Sequence, residues 1–578
     1  MQVADNFSGG VLPPSGGSAS PDIAQQRSIE QKRYRRIFLK RTFQFWWYRI
    51  LIVVLAGVLA GAVLSQVALF YSTPVYGGII GSVVLFWVIK KPTFGLLLTT
   101  MGTTALAPKL FSIKSLDIYP VILLLVVLSV VLIVQMTFHL RKPVFPSFWA
   151  IWPQLGLIVM AIISTLIVQA FWTHSVPHKI NGNPILYSEF YGIGLFFIPL
   201  VALAVTTIIL SENERLIRVI QYTNMLLAVI AALIIFYEYR RIGADIYTFR
   251  YSEPHILWMS LRAMAQLLSM GSVIAYVRFL YATTWRTRWF YLVIAAMCLL
   301  AVILSLENSW WLEIGVAYVV ITVIYSRRLI ISACIAALPL LPLLKAEYSK
   351  LQQVKQVDAI RLLIWQDALR VWSKQPLFGV GPGDFWEYDQ TFTNLPRALR
   401  NFNTTGLGVA HNGYLQILGE LGPIGLFFQL SMIAVLIYVA AQFFFRSPVV
   451  KKHTRGFFHL IDLELFAKTE KLEDRILGLI VIGMITGSAV ADFVSGSFFL
   501  PARQVSSLNA VPEPMTTWFL VGCLLYKDQL WRMAKKGIKL KEARVGKPRI
   551  VKDDIDSLNL GKWSIFRNLF KVIGAAIK

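Results

Sequence analysis

Apolar stretches recur along most of the chain, near 50–71, 76–89, 94–108, 118–138, 148–170, 189–210, 217–238, 257–281, 289–306, 311–326 and 329–344. After a long polar interval three more follow, near 423–444, 476–496 and 513–527. Most approach the length of about 20 residues that an α-helix needs to cross a bilayer. Lipid offers an open backbone no hydrogen-bond partner, so an apolar run of this length closes its bonds within a helix. The pattern predicts an all-α, polytopic integral membrane protein of about fourteen transmembrane helices. The stretches 94–108 and 311–326 are short enough for half-helices.

The polar intervals divide the chain into parts. Residues 1–49 are Ser/Gly/Pro-rich as far as 27 and then basic and aromatic, with Arg33, Arg35, Arg36, Lys40 and Arg41 beside Phe43, Trp46 and Trp47. That composition predicts a disordered start and a membrane-proximal anchor. A first transmembrane part, 50–344, is followed by a large loop at 345–422. A second part, 423–527, contains a polar linker at 445–475, and a basic tail fills 528–578. In the tail, Trp563, Phe566, Phe570 and Ile573 share one helical face, which predicts a helix lying on the membrane surface. Val511-Pro-Glu-Pro514 opens the last span.

Charge placement sets the orientation. With the N-terminus inside, Lys90/Lys91, Arg141/Lys142, Arg286/Arg288, Arg327/Arg328, Lys451/Lys452 and the tail from Lys535 to Lys552 all fall in the cytoplasm. The loops 174–189, 240–254 and 345–422 then lie outside, with both termini in the cytoplasm. The net charge of +25 is distributed beside spans, where it meets anionic headgroups. No nucleic-acid-binding motif accompanies it, so a nucleic-acid partner is not expected. Cys298, Cys334 and Cys523 sit in apolar stretches, which argues against a disulfide framework or a zinc site. No cleavable signal stands out ahead of the first span. Asp554-Ile-Asp556 reads as a solvated charge cluster in the tail, and no Gly-rich phosphate loop followed by Lys-Ser/Thr occurs.

The candidate chemistry lies between Asp358 and Leu426. Ile360, Ile364, Ala368 and Val371 fall on one face of a helix over 357–374, with Arg361 and Trp365 one turn apart. Pro376 and glycines 379, 381 and 383 stop that helix and make a turn. A guanidinium is suited to a diphosphate because it grips two oxygens and keeps its charge; the plainer reading pairs Arg361 with Asp358 or Asp367. Ala410-His411-Asn412-Gly-Tyr414-Leu415 then opens a helix that returns to the membrane at Pro423. A histidine at a helix start feels the positive end of the dipole, which favours the neutral imidazole and so a proton acceptor. The plainer reading is a capping or packing histidine. Glu420 falls on another face from His411 and is read as an orienting group.

Arginine, tryptophan, the Pro…Gly-x-Gly turn, His-Asn-x-Tyr-Leu and Glu-x-Gly, in this order, resemble the signature region of the bacterial O-antigen ligase/O-antigen polymerase superfamily. The resemblance implies a GT-C-like fold and a metal-independent inverting glycosyltransferase with no cofactor. Its donor would be a glycan on polyprenyl diphosphate, and its acceptor a lipid or glycan hydroxyl. It implies that His411 is the base, Arg361 holds the diphosphate, and Asn412, Tyr414, Trp365 and Glu420 shape the site. Arg250, in a loose match to an arginine-containing family segment, and Arg262, within a span, are further candidates for the diphosphate. One departure stands out: where the family carries a Ser-Arg pair, this chain reads Ser309-Trp310, leaving Arg397, Arg400 or Lys374 to compensate. Ligase and polymerase share this architecture. A transporter or flippase of similar hydropathy is the reading from another class; it predicts paired charges in mid-span and no need for the histidine motif.

Overall fold

The computed structural model describes residues 84, 86–102, 111–113, 116–118, 120–137, 144–172, 179–180, 183–184, 188–242, 261–305, 308–326, 355–383, 385, 410–446, 450–452, 463–465, 469–494 and 512–535. The basic segment 1–49, the expected spans at 50–71 and 329–344, most of that at 76–89, and the tail beyond Lys535 lie outside them.

Twelve helices are described. They are α1 (Pro92–Gly102), α2 (Pro120–Thr137), α3 (Phe148–Trp172), α4 (Ser188–Leu210), α5 (Leu216–Ile242) and α6 (Leu261–Tyr281). There follow α7 (Trp285–Leu304), α8 (Asn308–Tyr325), α9 (Lys355–Lys374), α10 (Gly413–Arg446), α11 (Thr469–Ala491) and α12 (Pro512–Lys535). Three short antiparallel pairings lie in the connections: Phe111–Ile113 with Leu116–Ile118, Lys179–Ile180 with Asn183–Pro184, and Val450–Lys452 with Leu463–Leu465. Polar intervals that bring two backbone stretches together can close hydrogen bonds without a sheet, and the apolar pattern carries no trace of them.

Among the described residues, six helices are long and apolar enough to cross a membrane, within α3, α5, α6, α7, α10 and α11. Shorter apolar helices occur within α2, α4 and α8. Helix α2 shows why the sequence has no polar face. Val121, Leu125, Leu128 and Leu132 are buried against the bundle, while Leu123, Val126, Val130 and Ile133 are exposed on the other side. A helix that is apolar all round has one face for protein and one for lipid. The chain is thus a multi-pass helical membrane protein.

The helices α8, α10 and α11 bring the site together, since α11 packs against both others. Gly487 of α11 lets the α8 backbone approach so closely that a Cβ there would lie 2.5 Å from the carbonyl oxygen of Glu313. Small residues at helix crossings allow this approach in lipid, where association depends on packing and hydrogen bonds. Charged side chains gather at one end of the bundle. Arg278 of α6 donates from Nη1 and Nη2 to both carboxylate oxygens of Glu473 at 3.0 and 2.7 Å, and from Nη2 to Gln221 of α5 at 2.6 Å. Lys527 of α12 is bonded to Glu214 and lies 2.8 Å from Asp474. Together these pairs tie α5, α6, α11 and α12.

Candidate functional site

Helix α9 has the amphipathic face that the spacing predicts. Ile364, Ala368 and Val371 are buried, and Ala368 and Val371 pack with Val380, Phe385, Ala410 and Leu415 into a small apolar cluster separate from the bundle core. The helix ends with Gln375 N–H on the Trp372 carbonyl and Gly379 N–H on the Gln375 carbonyl, each at 3.0 Å. Gly379, Gly381 and Gly383 all have positive φ, at 71°, 108° and 88°, a region open chiefly to glycine.

The turn does more than stop α9. Helix α10 is two helical segments joined at Gly422, whose φ of 69° and ψ of −173° are not helical. In an unbroken helix the Gly419 carbonyl would accept from residue 423, but Pro423 has no N–H. The break at Gly422 similarly leaves the Glu420 carbonyl to outside donors. Val380 N–H donates to Gly419 O at 2.9 Å, and Gly381 N–H to Glu420 O at 3.0 Å. Ser164 Oγ of α3 donates to the same Glu420 oxygen at 3.0 Å. The glycine turn therefore caps the interrupted helix, and α3 shares the acceptor. A Cβ at Gly379 would overlap the Glu420 backbone, and one at Gly422 would overlap the Leu377 carbonyl.

At the start of α10, Asn412 is the N-cap. Its Oδ1 accepts from the N–H groups of Tyr414 and Leu415 at 3.0 and 3.1 Å, satisfying two of the donors that a helix start leaves open. That role, assigned to His411 in the plainer reading of the sequence, belongs to its neighbour. His411 itself is half-buried and adopts φ 48°, the left-handed region that His and Asn enter more readily than most residues.

The backbone on both sides of His411 is held. Ala410 N–H donates to Gln416 Oε1 at 2.8 Å, and Gln416 Nε2 in turn donates to Glu420 Oε1. Gly413 N–H donates to the Asp492 carbonyl at 2.8 Å, and Asn412 Nδ2 to the Phe493 carbonyl at 3.2 Å. Tyr414 Oη donates to the Ala489 carbonyl at 2.6 Å, and its ring lies 4.6 Å from that of Phe493. The end of α11 is thus a cradle for residues 412–414. A Cβ at Gly413 would stand 3.1 Å from the Asp492 carboxyl carbon, close enough that this side chain would have to shift.

The structure brings His411, Asn412, Tyr414 and Glu420 together with the glycine turn. Glu420 is buried and accepts a hydrogen bond from Gln416 Nε2. Trp365 lies half-buried on α9. Asp367 is bonded by Arg370 at 2.8 Å. Arg361 and Arg262 belong to α9 and α6, with side chains outside the described residues, as is Arg250 entirely. Trp310, which stands where the family arginine is expected, is buried in α8 against the bundle. Gln416, Ser164, Ala489, Asp492 and Phe493 carry no motif that marks them as part of this arrangement. Four of them hold the site at backbone atoms or from within an apolar span, and only the spacing of Gln416 and Glu420, one turn apart, was visible. Among the described residues, no group of three or more His, Cys, Asp or Glu side chains is arranged to hold a metal ion.

These features define the class: a multi-pass helical membrane protein in which a histidine, held at a capped helix start, is docked between an interrupted helix and the end of a span. A model of the O-antigen ligase family matches residues 255–430, just under a third of the chain, and supports the O-antigen ligase/polymerase superfamily for it. The match runs from His255 to Leu430 of α10 and takes in both the α9 turn and the His411 segment; the cradle at the end of α11 lies outside it. No curated protein matches the chain.

Proposed function

We propose that this protein transfers a polyprenyl-diphosphate-linked glycan to a hydroxyl acceptor in surface polysaccharide or lipopolysaccharide synthesis. The reaction takes place on the extracytoplasmic face of a bacterial inner membrane, with both termini in the cytoplasm. The observation that carries the reading is the placement of His411 within the family-matched segment. Its backbone is fixed on both sides, and Asn412 caps the helix that starts beside it.

In the step, the acceptor oxygen attacks the anomeric carbon as an imidazole nitrogen of His411 takes its proton. The bond from that carbon to the diphosphate oxygen breaks, and the lipid diphosphate leaves with the electron pair. Arg361, with Arg250 and Arg262, neutralises the leaving group, a task that guanidinium groups perform without a metal. Direct displacement inverts the anomeric centre. Asn412, Tyr414, Trp365 and Glu420 shape the site around these groups.

The test is the lipid-linked glycan profile of cells carrying His411→Asn at wild-type protein level. Asparagine tolerates the positive φ at this position, so the exchange removes the base while sparing the backbone. Loss of about 10²–10⁴ in transfer is expected for a missing general base. Full-length chains stranded on the carrier lipid identify a ligase, and single repeat units identify a polymerase. An unchanged profile would sink the reading and favour a transporter.

A further inference from the structure

One charged side chain in the bundle is unexplained by packing. Glu313 lies in α8, an apolar helix, and is 3% exposed. A carboxylate in such a place is costly and is kept for a purpose. One turn before it, Trp310 fills the bundle interior, so Glu313 faces protein rather than lipid.

Its contacts run toward His411. Ser488 Oγ of α11 donates to Glu313 Oε1 at 3.0 Å. Asp492 N–H donates to the Ser488 carbonyl at 2.9 Å. The Asp492 carbonyl then accepts from Gly413, two residues after His411. The Asp492 carboxylate adds a second charge close enough to Glu313 to feel it. Gly487, next to Ser488, is a point of close approach between α8 and α11. The last turn of α11 is therefore set from one side by Glu313, and from the other it carries the cradle for 412–414.

We propose that Glu313 is a positioning residue for the transfer reaction, fixing the end of α11 through Ser488 and so the register of His411. The inference rests on the proposed role of His411. A carboxyl oxygen serves here because it accepts the Ser488 hydroxyl, whereas an apolar side chain would leave that hydroxyl and the turn above it unfixed.

The experiment uses full-length protein purified in detergent. Its substrates are the lipid-linked glycan and the total lipid and glycan extract of cells deleted for the chain, and release of free lipid diphosphate is followed. Glu313→Ala is expected to lower kcat tenfold or more with donor KM unchanged within twofold, because small misplacements of reacting groups can cost up to about a hundredfold. Glu313→Gln keeps an oxygen for Ser488 and is expected to recover to within threefold of the unaltered protein. A merely structural role would instead lower thermal stability and leave the rate per folded molecule untouched. That result, or equal loss in the Gln and Ala variants, would overturn the proposal. If Glu313→Ala does not fold, Ser488→Ala decides: a kcat drop of threefold or more supports the proposal, and an unaltered kcat overturns it. His411→Asn in the same assay separates the two readings. If it retains full release, the assigned function fails; if it is inactive while Glu313→Ala is normal, only the Glu313 proposal fails.

Discussion

Gly381 donates its backbone N–H to the carbonyl of Glu420 at 3.0 Å, and this bond joins the loop after α9 to the break in α10. Two segments that are 39 positions apart in the chain meet through main-chain atoms alone. The Pro-Leu-Phe-Gly-Val-Gly run and the Glu-Leu-Gly-Pro run are halves of one joint.

The joint is sensitive to a single methyl group. Gly379→Ala would place a Cβ inside the Glu420 backbone and also force a side chain into positive φ. The conformational strain alone costs about 1–3 kcal/mol, and the overlap adds to it. We expect a clear fall in the thermal midpoint of the detergent-solubilised protein, with loss of transfer. Gly315→Ala in α8, where nothing lies within 4 Å of the new Cβ, is the control and should leave both unchanged.

The His411 segment should respond differently. Gly413→Ala pushes on the Asp492 carboxyl group from 3.1 Å while leaving a helical backbone acceptable to alanine. The side chain can yield by a few tenths of an ångström, so the protein should fold. The expected outcome is a fall in kcat of about tenfold or more, since the shift falls on the residue bonded to the cradle. Steady-state kinetics on purified protein would show it; an unchanged kcat would argue that the register of residues 412–414 is unimportant.

At the charged end of the bundle the two partners of one ion pair should not be equivalent. The Arg278 side chain is 7% exposed and grips Glu473 with both terminal nitrogens, whereas Glu473 is 18% exposed and also lies 3.4 Å from Arg218. Glu473→Ala strands a buried guanidinium, and a loss of about 3 kcal/mol is expected. Arg278→Met leaves Glu473 with Arg218 and should cost less. A double variant less damaged than the sum of the two would confirm the coupling in unfolding measurements.

The helices were legible because lipid selects length and apolarity directly. The expected spans at 148–170, 189–210 and 217–238 correspond to α3, α4 and α5 within a few residues. The buried face of α9 was legible too, because Ile364, Ala368 and Val371 repeat at helical spacing. The His-Asn and Glu-x-Gly motifs fall inside the segment that the family model matches. What the sequence concealed was partnership. Asp492, Phe493 and Ala489 engage the site through their carbonyls, a group every residue carries. Glycines 379 and 381 read as the end of one helix, and nothing local said that their neighbours would complete another.

The break at Gly422 bears on how such a protein could be engineered. By helix propensity, Gly-Pro at 422–423 is the worst dipeptide in α10, and a stabilisation scheme that scores elements singly would replace it. The repaired helix would be straight and internally bonded. It would also have no carbonyls left over for Val380, Gly381 or Ser164 to find. In this chain the flaw in one element is the socket of the next, so optimising the part would disassemble the whole.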